Sequence, residues 1–448
     1  VFLATASLSV CLGALRGADD VAAAASTAPV AGPAMAMPAT NGQALVAALV
    51  AAPTLERQAL IAAVLAVNPG IAAARAGWRA AAARGPQQAA WDDPVLSYRF
   101  WPQSIASGVP YGQEIGLSQA IPLGGRTALR SAIALAEAEA ARSDFAAVRL
   151  RLATLAAQLH ADYVLAVRAE AIIARHGALV AELQRGAEIQ LGAGGGSLRD
   201  PLQAEAEGID LQQQGIAAAA DRAVVVARLD GLLHRAPEEP LPPPDLAATQ
   251  ERASATDAGL QDEALRARPE LLGSAAQEQG SAAALALARR QYLPEITVSA
   301  SYSSMWNERE YRYGVGLAVA LPVHRERLGE AVAEAEARVA MARLEREHMA
   351  QDIRVEVVAA QRRLQAATAT AALVRTRQLP IAAANLAAAR SAFAAGRESF
   401  ATLLGAERDV RRSELRAAET AAEVARATAA LAQATGRVPA DTDPGVQP

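Results

Sequence analysis

The sequence has no lysine: all 43 basic residues are arginine, set against 47 acidic ones for a formal charge of −4. With no surplus positive charge to neutralise a phosphate backbone, nucleic acid is excluded as a partner class. The one cysteine, Cys11, rules out an internal disulfide. Aromatic residues make up only 4% of the chain although hydrophobic ones reach 52%. Alanine supplies most of that apolar content, which suits long, closely packed helices better than a thick globular core. The five histidines, His160, His176, His234, His324 and His348, include no i, i+3 or i, i+4 pair and have no cysteine partner, so no tight zinc site is expected. "GAGGGS" lacks the lysine and preceding strand of a phosphate loop, and neither a nucleophile elbow nor an acid–base constellation is present. No cofactor, no metal site and no enzymatic activity are therefore predicted.

Long apolar runs are also scarce. After the first residues no window offers the ~20 uninterrupted apolar positions of a membrane-spanning helix. The opening "VFLATASLSVCLGALRG" and the small residues Val21 to Ser26 predict a signal peptide over 1–25 and export. Cys11 follows "LSV", which resembles a lipoprotein box except that Val10 stands where a small residue is expected. Residues 26–53, with Met35 and Met37, read as a flexible Ala/Pro-rich segment. An exported chain of this kind is periplasmic, secreted or inserted through β-strands.

What the sequence does have is repetition. Pro69, Pro94, Gly116, Leu117 and Pro122 recur 200 residues later as Pro269, Pro294, Gly316, Leu317 and Pro322. "SLRDPLQAE" from Ser197 returns as "SFATLLGAE" from Ser399, now at a step of 202. Two copies of one plan follow: a first repeat over 54–236, a Pro-rich linker over 237–246 ("PEEPLPPPD" cannot continue a helix), a second repeat over 247–438, and a tail over 439–448. Each repeat reads as helix, two strands, long helix, tight Gly-containing turn, helix. The first helix is expected from Thr54 to Ala90, the hairpins over about 95–121 and 295–321, and a long helix from Thr127 to Gln190. Phe145, Val148, Leu152, Leu155 and Leu159 within that long helix are spaced as a coiled-coil seam.

In the second hairpin Ile296, Val298, Ala300 and Tyr302 alternate with Thr297, Ser299 and Ser301. Tyr311, Tyr313, Val315, Leu317 and Val319 form a second apolar series. Strands of about ten residues with this alternation fit a transmembrane β-hairpin. They equally fit a half-buried hairpin of a soluble domain, and the helices alone fit a coiled-coil rod. Two hairpins give four strands, too few to close a membrane barrel; three copies would give twelve with no free edge. At the hairpin ends Pro122 and Pro322 stop the ladder by removing a donor, and Gly124 and Gly125 permit a change of direction.

Long paired helices, two hairpins, the duplication and the exported start together resemble the outer-membrane factor (TolC-like) family over roughly Thr54 to Val438. "DPVLSYRF" and "QEIGLSQAIPLGGR" look like its heavy-metal-efflux, CzcC-like branch. The resemblance implies a mainly α fold with a small β part. Duplicated long antiparallel helices would form a trimeric α-barrel, and the two hairpins would contribute to a shared 12-stranded outer-membrane β-barrel. It implies a homotrimer that sits in outer-membrane lipid, extends into the periplasm, and serves as the passive exit duct of a tripartite efflux system for heavy-metal cations. Its implied partners are a periplasmic adaptor (membrane fusion protein) and an inner-membrane RND pump. Ducts for drugs or secreted proteins share this plan. Pro122, Gly124, Gly125 and Pro322 become joints between the barrels, and the Gly-x-x-Ser turns Gly194/Ser197 and Gly396/Ser399 become adaptor-docking tips. Some relatives carry Asp residues past the second tip as a cation constriction. Here Thr402 and Gly405 stand instead, leaving Asp200, Glu398, Thr402 and Glu407 as candidates for a lumenal gate.

Overall fold

Proline and glycine set the element boundaries of this chain. The computed structural model describes residues 39–101, 112–246, 257–306 and 309–439. The expected signal peptide, Cys11, Met35, Met37 and residues 440–448 lie outside them. The chain divides into a unit up to Ala44 and a second unit from Leu45 onward, which contains both repeats. Helix α1 (Ala39–Ala51) occupies the second half of the stretch expected to be flexible.

The first repeat comprises α2 (Arg57–Val67), α3 (Pro69–Ala82), α4 (Arg84–Ala89), β1 (Val95–Trp101), β2 (Gly112–Ile121), α5 (Arg126–Gly192) and α6 (Arg199–Leu232). The second comprises α7 (Asp257–Ala267), α8 (Pro269–Arg290), β3 (Glu295–Ser303), β4 (Tyr313–Ala320), α9 (Arg325–Leu373), α10 (Leu379–Ala394) and α11 (Phe400–Ala434). The single helix expected from Thr54 to Ala90 is thus broken. Asn68 is extended (φ −66°, ψ 122°), its side chain accepts from the Gly70 N–H at 2.9 Å, and the chain bends by 49° there. Pro69 restarts the helix at the one position where its missing donor costs nothing.

α5 runs for 67 residues, about 100 Å at 1.5 Å per residue. It packs against α3, α4 and α6 of its own repeat and against α8 and α11 of the other. Alanines at 153, 156 and 157 are buried and let the neighbouring backbones approach closely. The expected seam is only partly right: Leu159 is buried, whereas Leu155 is exposed and Leu150 and Thr154 face the core. A helix clasped from several sides buries more than one stripe, so a single 3–4 pattern under-describes it.

The second long helix is not uniform. Between α9 and α10 the backbone widens into a π turn, Val374–Gln378, immediately before Pro380. A proline inside a helix removes one hydrogen bond and crowds the preceding turn, and a wider turn relieves both. The repeat step also grows from 200 at Pro322 to 202 at Gly396, and the π turn lies in that interval.

The duplication is structural as well as textual. Asn68 Nδ2 donates to the Leu232 carbonyl at 3.2 Å, and Arg268 Nη1 to the Ala434 carbonyl at 3.3 Å. The residue before each N-terminal proline therefore ties down the end of its own repeat's last helix. The linker between repeats begins in a turn, with Glu238 at φ 74°, and its later part is docked. Leu55 N–H donates to Pro243 O at 2.8 Å, Asp245 N–H to Leu55 O at 3.1 Å, and Tyr163 Oη to Pro242 O at 3.2 Å. Beneath it Leu55, Leu60, Ile61, Val64, Leu229 and Leu233 form a closed core. Each such side chain contributes about 1.5–3 kcal/mol by leaving water.

Candidate functional site

The four strands form one antiparallel sheet in the order β1-β2-β3-β4, with the two hairpins joined through β2 and β3. Its register aligns the alternations of separate segments. Leu96 lies opposite Leu117, Leu117 opposite Ala300, and Ala300 opposite Val315; Tyr98, Ile115, Tyr302 and Tyr313 form the next row. These rows give one face that is apolar across all four strands. The opposite face carries mostly small and polar residues, including Ser97, Gly116, Ser299, Ser301 and Gly316.

The apolar face is uncovered. Leu96, Tyr98, Ile115, Leu117, Tyr313 and Leu317 are all exposed, and Val315 reaches 88%. Polar Arg99 and Glu114 pair at 3.2 Å across the other face. The sheet thus turns its oil outward and its charge to the reverse side, the opposite of a half-buried soluble hairpin. β1 and β4 each pair on one side only, leaving two open edges.

At the first joint Pro122 ends the ladder, and Gly124 and Gly125 adopt left-handed φ of 68° and 71°. A Cβ on Gly124 would lie 2.5 Å from Leu293 Cδ1, so this glycine is required for close approach as well as for its backbone angle. The second joint has Pro322 but no glycine. Its turn is made by Val323 N–H donating to Leu321 O and Arg325 N–H to Val323 O, both at 3.0 Å. Arg126, which sequence reasoning passed over, anchors the first joint. Its buried guanidinium donates to the carbonyls of Arg290 (3.1 Å) and Leu293 (2.6 Å) and pairs with Glu295. The first repeat's long helix is thereby fixed to the point where the second repeat enters the sheet.

At the far end of the helices the two Gly-x-x-Ser turns share one backbone geometry. Gly194 and Gly396 have φ of 78° and 68°, and the following N–H groups reach back five residues, Gly195 to Gln190 O (3.0 Å) and Arg397 to Ala392 O (2.9 Å). This is the Schellman closure of α5 and α10. The serines differ. Ser399 caps α11, its Oγ accepting from the Thr402 N–H at 3.2 Å. Ser197 accepts from the Arg199 N–H at 3.2 Å, and the cap position of α6 falls to Leu198. Asp200 is half-buried in the first turn of α6, where its charge complements the helix dipole. Glu398 and Thr402 are exposed beside the second turn.

Glu407 requires a correction. It is not available to a lumenal ring: its side chain is 3% exposed and locked between helices, against His176 Nδ1 at 2.5 Å and Arg390 at 3.4 Å. His176 Nε2 lies 2.8 Å from Glu414, which also pairs with Arg175. Beside this cluster buried Glu207 of α6 is held by Arg408 and, at 2.9 Å, by Arg411 of α11. A charged layer therefore crosses the otherwise aliphatic packing near the distal turns. Residues 231 apart in sequence supply it, so no local spacing could have revealed it.

Residues 260–437, the second repeat and less than half of the chain, match the family model described as "Outer membrane efflux protein". Comparison with curated protein sequences gives no match. Solved outer-membrane channel structures, in contrast, superpose over both repeats. CusC aligns with a TM-score of 0.74 at 18% identity, covering 85% of this chain and 92% of its own. The open-state MtrE outer membrane channel of Neisseria gonorrhoeae gives 0.71 at 18%, covering 85% and 89%. The outer-membrane channel OprN gives 0.68 at 22%, covering 84% and 89%. The chain has the fold of these channels. The first repeat, which the family model leaves out, is part of that fold: its hairpin pairs with the second repeat's, and Gly194 closes its long helix in the same way that Gly396 does in the second.

Proposed function

We propose that this protein is a subunit of an outer-membrane efflux channel, a member of the outer membrane efflux family that works as a passive exit duct and not as an enzyme. The observation that carries the reading is the sheet: four strands with a continuous exposed apolar face and two open edges, attached to long helices of which α5 reaches about 100 Å. Three copies would close those edges into a twelve-stranded barrel with lipid outside and the small polar face toward water. Exposed apolar side chains along the lateral helices, such as Ile209 and Ile216 on α6 and Ile381 on α10, support burial against neighbouring copies. Below the membrane the helices would continue as an α-barrel through the periplasm, and the turns at Gly194/Ser197 and Gly396/Ser399 would dock a periplasmic adaptor that leads to an inner-membrane RND pump. Heavy-metal cations are the proposed cargo, supported by the CzcC-like character of "DPVLSYRF" and "QEIGLSQAIPLGGR".

Extraction and deletion test this. The protein should resist carbonate, require detergent, and run as a trimer in mild detergent. Release by carbonate as a monomer would overturn the reading. A deletion strain should become sensitive to divalent metal ions; sensitivity to organic toxicants alone would keep the duct and change its cargo.

A further inference from the structure

The charged layer at His176 has a property that its geometry imposes. Both ring nitrogens face carboxylate oxygens, Nδ1 that of Glu407 at 2.5 Å and Nε2 that of Glu414 at 2.8 Å. An ionised carboxylate only accepts hydrogen bonds, and a neutral imidazole has one N–H and one lone pair. The arrangement is therefore satisfied only by the imidazolium. Loss of the proton would set a nitrogen lone pair against a carboxylate at hydrogen-bond distance in a contact that is buried at Glu407 and part-buried at Glu414. His176 belongs to α5 of the first repeat, and Glu407 and Glu414 to α11 of the second, two helical turns apart.

We propose that His176 is a proton-operated interlock between the two repeats, tightened when the imidazole is charged and weakened when it is neutral. The surrounding groups are consistent with a single titrating element. α11 presents Glu407 and Glu414, α10 contributes Arg390 on Glu407, and Arg175 on α5 itself engages Glu414. On α6, Glu207 and Asp210 are occupied by Arg408 and Arg411 and make no ion pair with the imidazole. The arginines stay charged throughout the physiological range, so the histidine is the group that switches. Burial alone would lower its pKa, but the hydrogen bonds and charges of Glu407 and Glu414 outweigh burial and hold it above the usual value. With a raised pKa, the stabilisation is complete below the unfolded value of about 6.5 and disappears as pH rises through the folded one. Combined with the duct function proposed above, the interlock would make the spacing of the two distal turns respond to pH; only that consequence rests on the duct reading.

Hydrogen exchange followed by mass spectrometry on the full-length protein in detergent tests the interlock directly. Peptides spanning 170–187 and 403–418 should lose at least tenfold in protection between pH 5.5 and pH 8.5, after correction for intrinsic exchange. A peptide within Pro269–Arg290, which contains no histidine, should not change. His176→Gln should abolish the pH dependence, and His176→Arg, permanently charged, should hold the protected state at both pH values. Should His176→Arg prove too large to fold, Glu414→Gln provides a second variant, for which a weaker pH dependence is expected. Equal protection at both pH values in the wild type, or an undiminished pH response in His176→Gln, would overturn the proposal. Neither result depends on whether the protein conducts anything.

Discussion

Gly436 and His234 close the two repeats in the same left-handed turn, at φ 79° and 54°, but only the glycine faces a wall. A Cβ at Gly436 would stand 2.9 Å from the carbonyl carbon and oxygen of Ala267, whereas Gly396, in an equivalent turn at the distal end, has nothing within 4 Å. Gly396→Ala should therefore cost about 1–2 kcal/mol, the left-handed penalty alone. Gly436→Ala should cost about 1–3 kcal/mol more through overpacking. Parallel thermal-unfolding curves check the order, which should not reverse.

Arg126 offers a test of the first joint. Arg126→Ala removes the charged donor shared by the carbonyls of Arg290 and Leu293, and because the Arg290 carbonyl still accepts from the Leu293 N–H at 3.1 Å, the expected loss is that of hydrogen bonds to a charged group, about 1.5–3 kcal/mol. Lysine should rescue little, because one ammonium does not reproduce the planar fork that spans two carbonyls and Glu295. The readout is the thermal-unfolding midpoint of the purified protein.

The facing of the sheet is checked by paired substitutions on neighbouring strands. Leu317→Arg, on the apolar face, should hinder membrane insertion by about 2–4 kcal/mol if it lies near the midplane. Thr297→Arg, on the opposite face, should insert at close to wild-type levels. Quantifying protein in the outer-membrane fraction separates the two; equal insertion would contradict the assigned faces.

A thermodynamic counterpart to the exchange experiment is the melting of His176→Gln against wild type across pH. The difference should be largest near pH 5.5, where the charge-assisted bonds are intact at about 1.5–3 kcal/mol each. It should shrink as pH rises through the raised histidine pKa.

Much of this architecture was legible in the sequence, and its limits follow from physics. The strands, joints and distal turns are written locally, through a two-residue period and through proline and glycine at fixed positions. Leu317 lies on the apolar face, β2 ends just before Pro122, and Gly396 makes a left-handed turn, each a local consequence of residue type. The break at Asn68 was missed because Pro69 also fits the reading of a kink inside a longer helix. Glu407 was misjudged because its burial depends on His176, on a helix that closes in the other repeat. Arg126 gave no signal either, since its carbonyl partners are backbone groups that every sequence contains.

The π turn at Val374–Gln378 bears on how such a chain tolerates change. Adding one residue to a regular α-helix turns everything beyond it by about 100°. That would swing Leu386 and Ala389 away from the Leu403 and Val410 they pack against. A widened turn absorbs an added residue locally, so the distal end keeps its orientation while the spacer behind it changes length. In a long helix held by packing at both ends, this gives insertions and deletions a place to accumulate without re-cutting the surfaces on either side.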